Sequence, residues 1–399
     1  MNPNLQALQP YPFERLRQLF AQVTPAAAYR PISLGIGEPK HPTPAVIRQA
    51  MAESLDQLAS YPSTAGGMAL RQACADWVLH RYGVALDAAQ HVLPVTGSRE
   101  ALFAIAQVVV NATRPNPVVL CPNPFYQIYE GAALLAGAQP VFVPSQAEQR
   151  FAHAWDTVPE AIWQRTQLVY VCSPGNPTGA ITSLAQWQLL FEACEKHGAV
   201  LVADECYSEI YFNNQPPLGM LQAAQQLGRD FTGLLAVTSL SKRSNAPGLR
   251  SGCVAGDPAL IQQFLLYRTY HGSAMGGVVQ AASAAAWADE AHVQANRAAY
   301  QAKFDAVLPL LRPHMQVSHP DAGFYLWPKI PPAFAGDDAR FAQALLAQYN
   351  VVVLPGRYIA RDVDGHNPGA GRVRMALVAE QAECLEAAQR VAAFCAAAA

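Results

Sequence analysis

From about residue 90 the chain alternates between two kinds of stretch. Short runs that are apolar at nearly every position are separated by longer segments whose apolar residues return every three or four places. The first kind reads as a strand buried on both faces, the second as an amphipathic helix. The pattern predicts strands at Val92–Val95, Val118–Cys121, Pro140–Val143, Leu168–Cys172, Ala199–Ala203, Gly233–Thr238 and Gly252–Ala255. It predicts helices over Pro44–Leu58, capped by Thr43, and over Met68–Tyr82, Arg99–Val110, Phe125–Ala136 and Leu184–His197. Leu102, Ile105, Ala106 and Val109 share one face of the third. Strands and helices in this alternation predict a mostly parallel sheet covered on both sides.

The two ends follow a different pattern. Phe13, Leu16, Leu19 and Phe20 are spaced for a short helix, and Ile32–Pro39 is a short extended piece closing in a glycine-rich turn. Beyond about residue 285 a long alanine-rich helix runs towards Leu311. Strand patterns at Met315–Val317, Phe324–Trp327, Val351–Leu354 and Arg372–Met375 then alternate with helices at Asp338–Tyr349 and Glu380–Ala396. This predicts an α/β protein of two parts: a large domain, 46–286, and a smaller α+β domain from 1–45 plus 287–399. The length of 399 residues agrees, being long for a single core. A net charge of −2 offers no basic face to nucleic acid or an anionic membrane. No apolar run is long enough to span a bilayer, and the start, Met1-Asn2-Pro3-Asn4, lacks the pattern of a secretion signal. Eight cysteines are scattered without a Cys-x-x-Cys pair. They predict reduced thiols in a cytoplasmic protein and no metal site.

Ligands of a parallel sheet bind beyond the carboxyl ends of its strands, so the residues just past each strand carry the chemistry. After Leu234–Val237 comes a loop, Ser239 to Gly252, with Lys242, one of only five lysines in the chain. A desolvated amine near other cations has a lowered pKa and attacks carbonyls. Ser239, Ser241 and Arg250 supply hydroxyls and a guanidinium suited to phosphate. An aldehyde bearing a phosphate, pyridoxal phosphate (PLP), answers both. The plain alternative is a solvated lysine on a surface loop. Thr96-Gly97-Ser98-Arg99-Glu100 opens a helix, whose free amides hold a phosphate or are simply capped. Asn176 sits in the turn Ser173–Gly179, and Asp204-Glu205-Cys206-Tyr207 follows a buried strand. An acid in that position needs a partner or a shifted pKa. One ligand unites these residues. Asp204 would pair with the pyridine nitrogen and keep the ring an electron sink. Asn176 and Tyr207 would bond the ring hydroxyl, and Tyr126 would stack on the ring. Ser98, Arg99, Ser239, Ser241 and Arg250 would hold the phosphate.

Four motifs run in order across nearly the whole chain: Asn176-Pro177-Thr178-Gly179, Asp204-x-x-Tyr207, Ser239-x-Ser241-Lys242 with Arg250, and Arg372-Val373-Arg374-Met375. In this the chain resembles the fold-type I PLP-dependent aminotransferases of class I/II, the aspartate aminotransferase-like family. The resemblance implies the PLP-dependent transferase fold type I, with a mostly parallel seven-stranded sheet in the large domain. It implies that Lys242 holds the cofactor covalently and moves the proton between the substrate α-carbon and the cofactor. It implies that Arg374 binds the substrate α-carboxylate beside Asn176, and that Gly37 lies over the substrate in the segment that closes the site. It also implies a homodimer in which Tyr61 reaches the partner's cofactor phosphate. Spacing alone does not choose between Arg372 and Arg374, which alternate onto one face. Arg99 could turn from phosphate to substrate, since in some relatives a basic residue here reads a distal carboxylate. The stretch Tyr267–Met275, with Arg268 and His271, lies where the family contributes pocket residues across the dimer interface; it suits an acidic or amide-bearing substrate, or is an interface loop. The overall likeness, Tyr11–Leu16 included, is to the bacterial N-succinyldiaminopimelate aminotransferases of lysine biosynthesis, which use the glutamate/2-oxoglutarate pair. Aminotransferases for aspartate, alanine or aromatic amino acids, and β-eliminating C–S lyases, remain open. A fusion to a DNA-binding module is disfavoured by the balanced charge and the short N-terminal segment.

Overall fold

Residues 1–398 are described by a computed structural model. The chain opens with a 3-10 turn, Pro3–Ala7, a helix, Pro12–Phe20, and a short strand, β1 (Ile32–Ser33). One eight-stranded sheet then takes β2 (Val92–Val95), β3 (Val118–Asn123), β4 (Gln139–Gln146), β5 (Ala152–His153), β6 (Thr166–Cys172), β7 (Val200–Asp204), β8 (Leu234–Ser239) and β9 (Gly252–Gly256). Four short strands follow: β10 (Tyr325–Leu326), β11 (Val351–Val352), β12 (Leu354–Pro355) and β13 (Val373–Ala376).

The large sheet has the order β2-β9-β8-β7-β6-β3-β4-β5. The β4–β3, β3–β6, β6–β7 and β7–β8 pairs are parallel, while β9 lies antiparallel between β8 and β2. The seven strands expected are present, and β5 is an eighth. It is a two-residue strand paired antiparallel with Ser145 and Gln146 at the sheet edge. The register of the sheet has a direct consequence for function. Cys172 pairs with Asp204, Asp204 with Val237, and Gly252 with both Ser239 and Val95. The carboxyl ends of β2, β6, β7 and β8 therefore finish along one edge.

Helices cover both faces of the sheet. One face packs against Trp77, Trp187, Phe191 and Trp287, the other against Leu102, Ile105, Tyr129 and Phe264. A further apolar cluster joins Ile32 and Leu34 to Tyr207, Tyr300, Phe304, Phe341 and Phe394. In it the long helix Ala291–Leu311 packs on Gln381–Ala397, and β13 pairs with β10 and β12. Local signals explain the sharpest helix ends. Ser183 and Gln186 form a reciprocal capping box on Leu184–His197, and Gly198 ends it at a φ of 67°.

Some elements differ from the sequence pattern. Pro44–Leu58 is a helix only over Ala45–Ala52, followed by a 3-10 turn, Leu55–Ala59. Thr43 does not cap it; its hydroxyl donates to Asn245 O at 3.0 Å. Met315–Val317 contributes a single bridge, Gln316 to Lys329, since no strand runs alongside it. The helices Pro258–His271 and Met220–Gln226 add to those expected. All eight cysteines are buried free thiols. Among the described residues no helix is long and apolar enough to cross a membrane.

Candidate active site

Beyond the carboxyl edge of the sheet lies a cavity of about 630 Å³. Every residue expected to hold cofactor or substrate within this chain lines it; Tyr61, expected to reach the partner's cofactor, is fully exposed on the surface.

Lys242 stands in the one-turn helix Leu240–Arg243 that begins where β8 ends. Its amine donates to Gly37 O at 2.6 Å and lies 5.4 Å from the centre of the Phe324 ring. Burial first, then the charges of Arg374 and Arg250, pull it down to about 8. At pH 7 about a tenth of this amine is then the free base, far more than for an exposed lysine. Ser239 caps the same turn, accepting the Ser241 amide at 3.1 Å, and its hydroxyl lies 3.1 Å from Ser251 O. It therefore shapes the loop as well as lining the cavity.

Asp204 ends β7 and is buried. Its carboxylate accepts the Tyr129 hydroxyl at 2.7 Å and the Cys206 amide at 3.3 Å. Burial raises its pKa; those two donors and Lys242 oppose the rise. Such a group gains from a cationic partner in the cavity. Tyr129 was not singled out in the sequence. It lies on a helix face, where a buried tyrosine looks like core. Tyr126, one turn earlier, meets Tyr129 edge-on at 5.8 Å and accepts from Arg99 Nε at 2.7 Å.

The helix Ser98–Val109 points its first turn at the cavity, with no side-chain cap. Gly97 precedes it at a φ of 95°, and a Cβ there would collide with the Arg250 guanidinium. A cation thus rests against open helix amides, with Ser98 and Ser241 beside it. That is a cradle for a phosphate. Arg99 is engaged elsewhere: besides Tyr126 it faces Tyr11, 3.5 Å from the hydroxyl and 5.9 Å from the ring centre. It lines the same cavity as Ser98, Ser241 and Arg250.

Arg374, on β13, is the one of the two arginines that faces the cavity. It is buried, donates to Asn176 Oδ1 at 3.0 Å and Gly35 O at 2.9 Å, and leaves its Nε unpartnered. The Tyr325 ring lies 4.4 Å from it. Arg372 instead donates to Trp327 O and lies over Phe151. Tyr207 and Tyr325 hydroxyls are 3.1 Å apart, and a side chain at Gly37 would strike Tyr325. Tyr325 and Gly35 are site residues that the sequence pattern missed. Arg268 and His271 do not reach the cavity of this chain. Arg268 is fully buried, paired with Glu100 at 3.2 Å and Pro94 O at 2.9 Å, and His271 stacks on Tyr267.

A free lysine amine, a phosphate cradle and a buried carboxylate at one sheet edge define a pyridoxal-phosphate-dependent transferase. The comparison with known proteins narrows the class. The family described as aminotransferase class I and II matches residues 29–391, and the chain belongs to it. Members of this family use pyridoxal 5′-phosphate, so the protein is a PLP-dependent aminotransferase. The crystal structure of an aminotransferase from Neisseria meningitidis Z2491 is 51% identical, with a TM-score of 0.95 over 99% of this chain and 100% of that one. An LL-diaminopimelate aminotransferase from Nitratidesulfovibrio vulgaris (strain DP4) is 32% identical over 395 residues, 97% of each chain. The structure of a probable N-succinyldiaminopimelate aminotransferase from Thermus thermophilus is 25% identical, with a TM-score of 0.83 over 96% of this chain and 98% of that one.

Proposed function

We propose that this aminotransferase exchanges the amino group of N-succinyl-L,L-diaminopimelate with 2-oxoglutarate, serving lysine biosynthesis. The observation that carries this reading is a pair of guanidinium groups in one cavity. Arg374 offers an unpartnered Nε next to Asn176, and Arg99 stands among Tyr126 and Tyr11. A substrate with an α-carboxylate and a second acidic group matches both. The names of the relatives, LL-diaminopimelate aminotransferase and probable N-succinyldiaminopimelate aminotransferase, support the same class of substrate.

Bound PLP supplies an electron sink for the charge left when the substrate loses its α-proton. The residues have separate tasks. Lys242 would hold the cofactor and carry the α-proton on Nζ, a task suited to an amine whose pKa is pulled down to about 8. Asp204, its orientation set by Tyr129 and the Cys206 amide, would pair with the ring nitrogen. Asn176 and Tyr207 would hold the ring hydroxyl, and Tyr126 would cover the ring. Arg250, Ser98, Ser239, Ser241 and the helix amides would hold the phosphate. Gly37 would lie over the substrate, at a position where a side chain would strike Tyr325.

The acting form in this reading is a homodimer in the cytoplasm. Leu55, Leu58, Tyr61, Met68, Leu266 and Tyr270 are exposed. The two stretches adjoin, since Arg268 reaches Thr64 O at 3.4 Å. A partner covering them would receive Tyr61 towards its cofactor phosphate. The division into 46–286 and 1–45 plus 287–399 lets the smaller part carry Gly37 and Arg374 towards the cofactor.

A half-reaction screen tests the substrate. Single amino donors are mixed with the holoenzyme while the cofactor's visible absorbance is followed. N-succinyldiaminopimelate and glutamate should discharge it, with little response to aspartate, alanine or tyrosine. Arg99→Ala should raise KM for the dicarboxylates about tenfold and leave alanine unchanged. Rapid discharge by aspartate or tyrosine alone would discard the substrate, and pyruvate from cystathionine would make the enzyme a lyase.

A further inference from the structure

A buried chain of polar groups lies behind the lysine turn. Lys303, on the helix Ala291–Leu311, is 1% exposed, and among the described residues no carboxylate is bonded to it. Its amine contacts His41 Nε2 at 2.6 Å and Leu377 O at 3.3 Å, and lies 4.7 Å from the Tyr300 ring centre. The opposite nitrogen of His41, Nδ1, is 3.0 Å from Asn296 Oδ1. Asn296 Nδ2 in turn donates to Lys242 O at 3.3 Å. Asn245, three residues past Lys242, donates to the same Asn296 oxygen at 2.9 Å.

Burial lowers the Lys303 pKa and Glu380 opposes this; with Lys303 protonated, the direction of every bond in this chain follows. An ammonium has donors and no acceptor, and a carbonyl and a ring face both suit it. Lys303 therefore donates to His41 Nε2. The neutral imidazole then carries its proton on Nδ1 and donates to the amide oxygen of Asn296. That orients the Asn296 amide so that its nitrogen faces the Lys242 carbonyl. Burial, and then the Lys303 charge, hold His41 below its ordinary pKa. Glu380, the other charged group facing it, opposes this together with the Asn296 bond.

The chain links three segments of the site. His41 is four residues from Gly37, whose carbonyl accepts the Lys242 amine. Asn296 grips the backbone of Lys242 itself, and Leu377 is three residues from Arg374. A second brace holds the other side of the turn: Asp289, His292 and Ser244 are in line at 2.5 and 2.8 Å. Ser244 is fully buried, so that line faces no substrate.

We propose that His41, in its Nδ1–H form and held by Lys303, is a positioning residue that fixes the Lys242 turn through Asn296. This rests on Lys242 being the amine that carries the proton. Two substitutions of His41 isolate the effect. Glutamine can accept from Lys303 and donate to Asn296, while phenylalanine keeps the ring and neither bond. His41→Phe should lower kcat about tenfold with KM for glutamate within about twofold, because the proton carrier and not the carboxylate site is displaced. It should also shift the pH midpoint of the bound cofactor's visible absorbance. His41→Gln should restore both to near the parent values. In ¹⁵N-histidine NMR of the parent protein, the signal lost in His41→Gln should be that of an imidazole protonated on Nδ1. A parent imidazole protonated on Nε2, an unchanged kcat in His41→Phe, or equal damage in both variants would overturn the proposal. Lys242→Ala separates the two readings. If it is inactive while His41→Phe is normal, only the role of His41 fails; if it keeps turnover, the role of Lys242 fails first.

Discussion

Glu205, next in sequence to Asp204, shows at the scale of one residue what this sheet edge does to charge. Its carboxyl accepts the Met220 amide at 2.6 Å, yet burial pushes it up to about 7. An exposed glutamate loses its proton near 4.5. Its contribution to stability is therefore complete below pH 4.5 and lost as the pH rises through 7. Glu205→Gln keeps the acceptor and removes the charge, so it should raise Tm at pH 8.5 and leave it nearly unchanged at pH 4.5. Equal shifts at both values would mean that the carboxyl is ionised in the folded protein at both. Lys242 has the opposite sign. Its amine is held below the lysine value, so its contribution is present above pH 10.5 and lost as the pH falls through about 8. At neutral pH both groups strain the free protein. For Lys242 the strain lies at a group assigned chemistry; for Glu205 it lies just beside one.

At the scale of elements, the phosphate cradle makes the sharpest demand. The turn into Ser98–Val109 needs a residue at φ 95° with no side chain, because the Arg250 guanidinium fills the space a Cβ would take. Gly97→Ala should weaken PLP binding to the apoprotein by about tenfold or more, since it displaces a charge-assisted contact and strains the backbone. Titration of tyrosine or tryptophan fluorescence with PLP would measure it, and an unchanged Kd would remove Arg250 from the cradle. This element was legible in the sequence because a buried apolar strand, a glycine and a helix start are all local signals. Met68–Tyr82 and Leu184–His197 were legible to the residue for the same reason, each being closed by a glycine, Gly83 and Gly198, in the left-handed conformation. The two-residue β5 was not legible, since it exists only by pairing with β4. Tyr129 and Tyr325 were hidden because a buried aromatic at a core spacing looks the same whether or not its hydroxyl meets a site. Arg268 misled because its partner, Glu100, is 168 residues away in the chain.

At the scale of the whole molecule, one sheet edge gathers groups from across the chain, from Gly37 to Arg374. Of five lysines, Lys242 alone lines the cavity; Lys303 is buried behind it, and Lys40 and Lys196 pair with Glu383 and Glu160. Lys329 accounts for the fifth, and its backbone bridges Gln316 and Arg372. The central claim is thus a choice among five amines that differ in burial and neighbours. The direct measurement is borohydride reduction of the PLP-loaded protein, followed by peptide mapping by mass spectrometry. The account predicts one pyridoxyl phosphate per chain, on Lys242, and none on that peptide in Lys242→Ala. A modification centred on Lys40, Lys196, Lys303 or Lys329, or spread evenly among them, would contradict it.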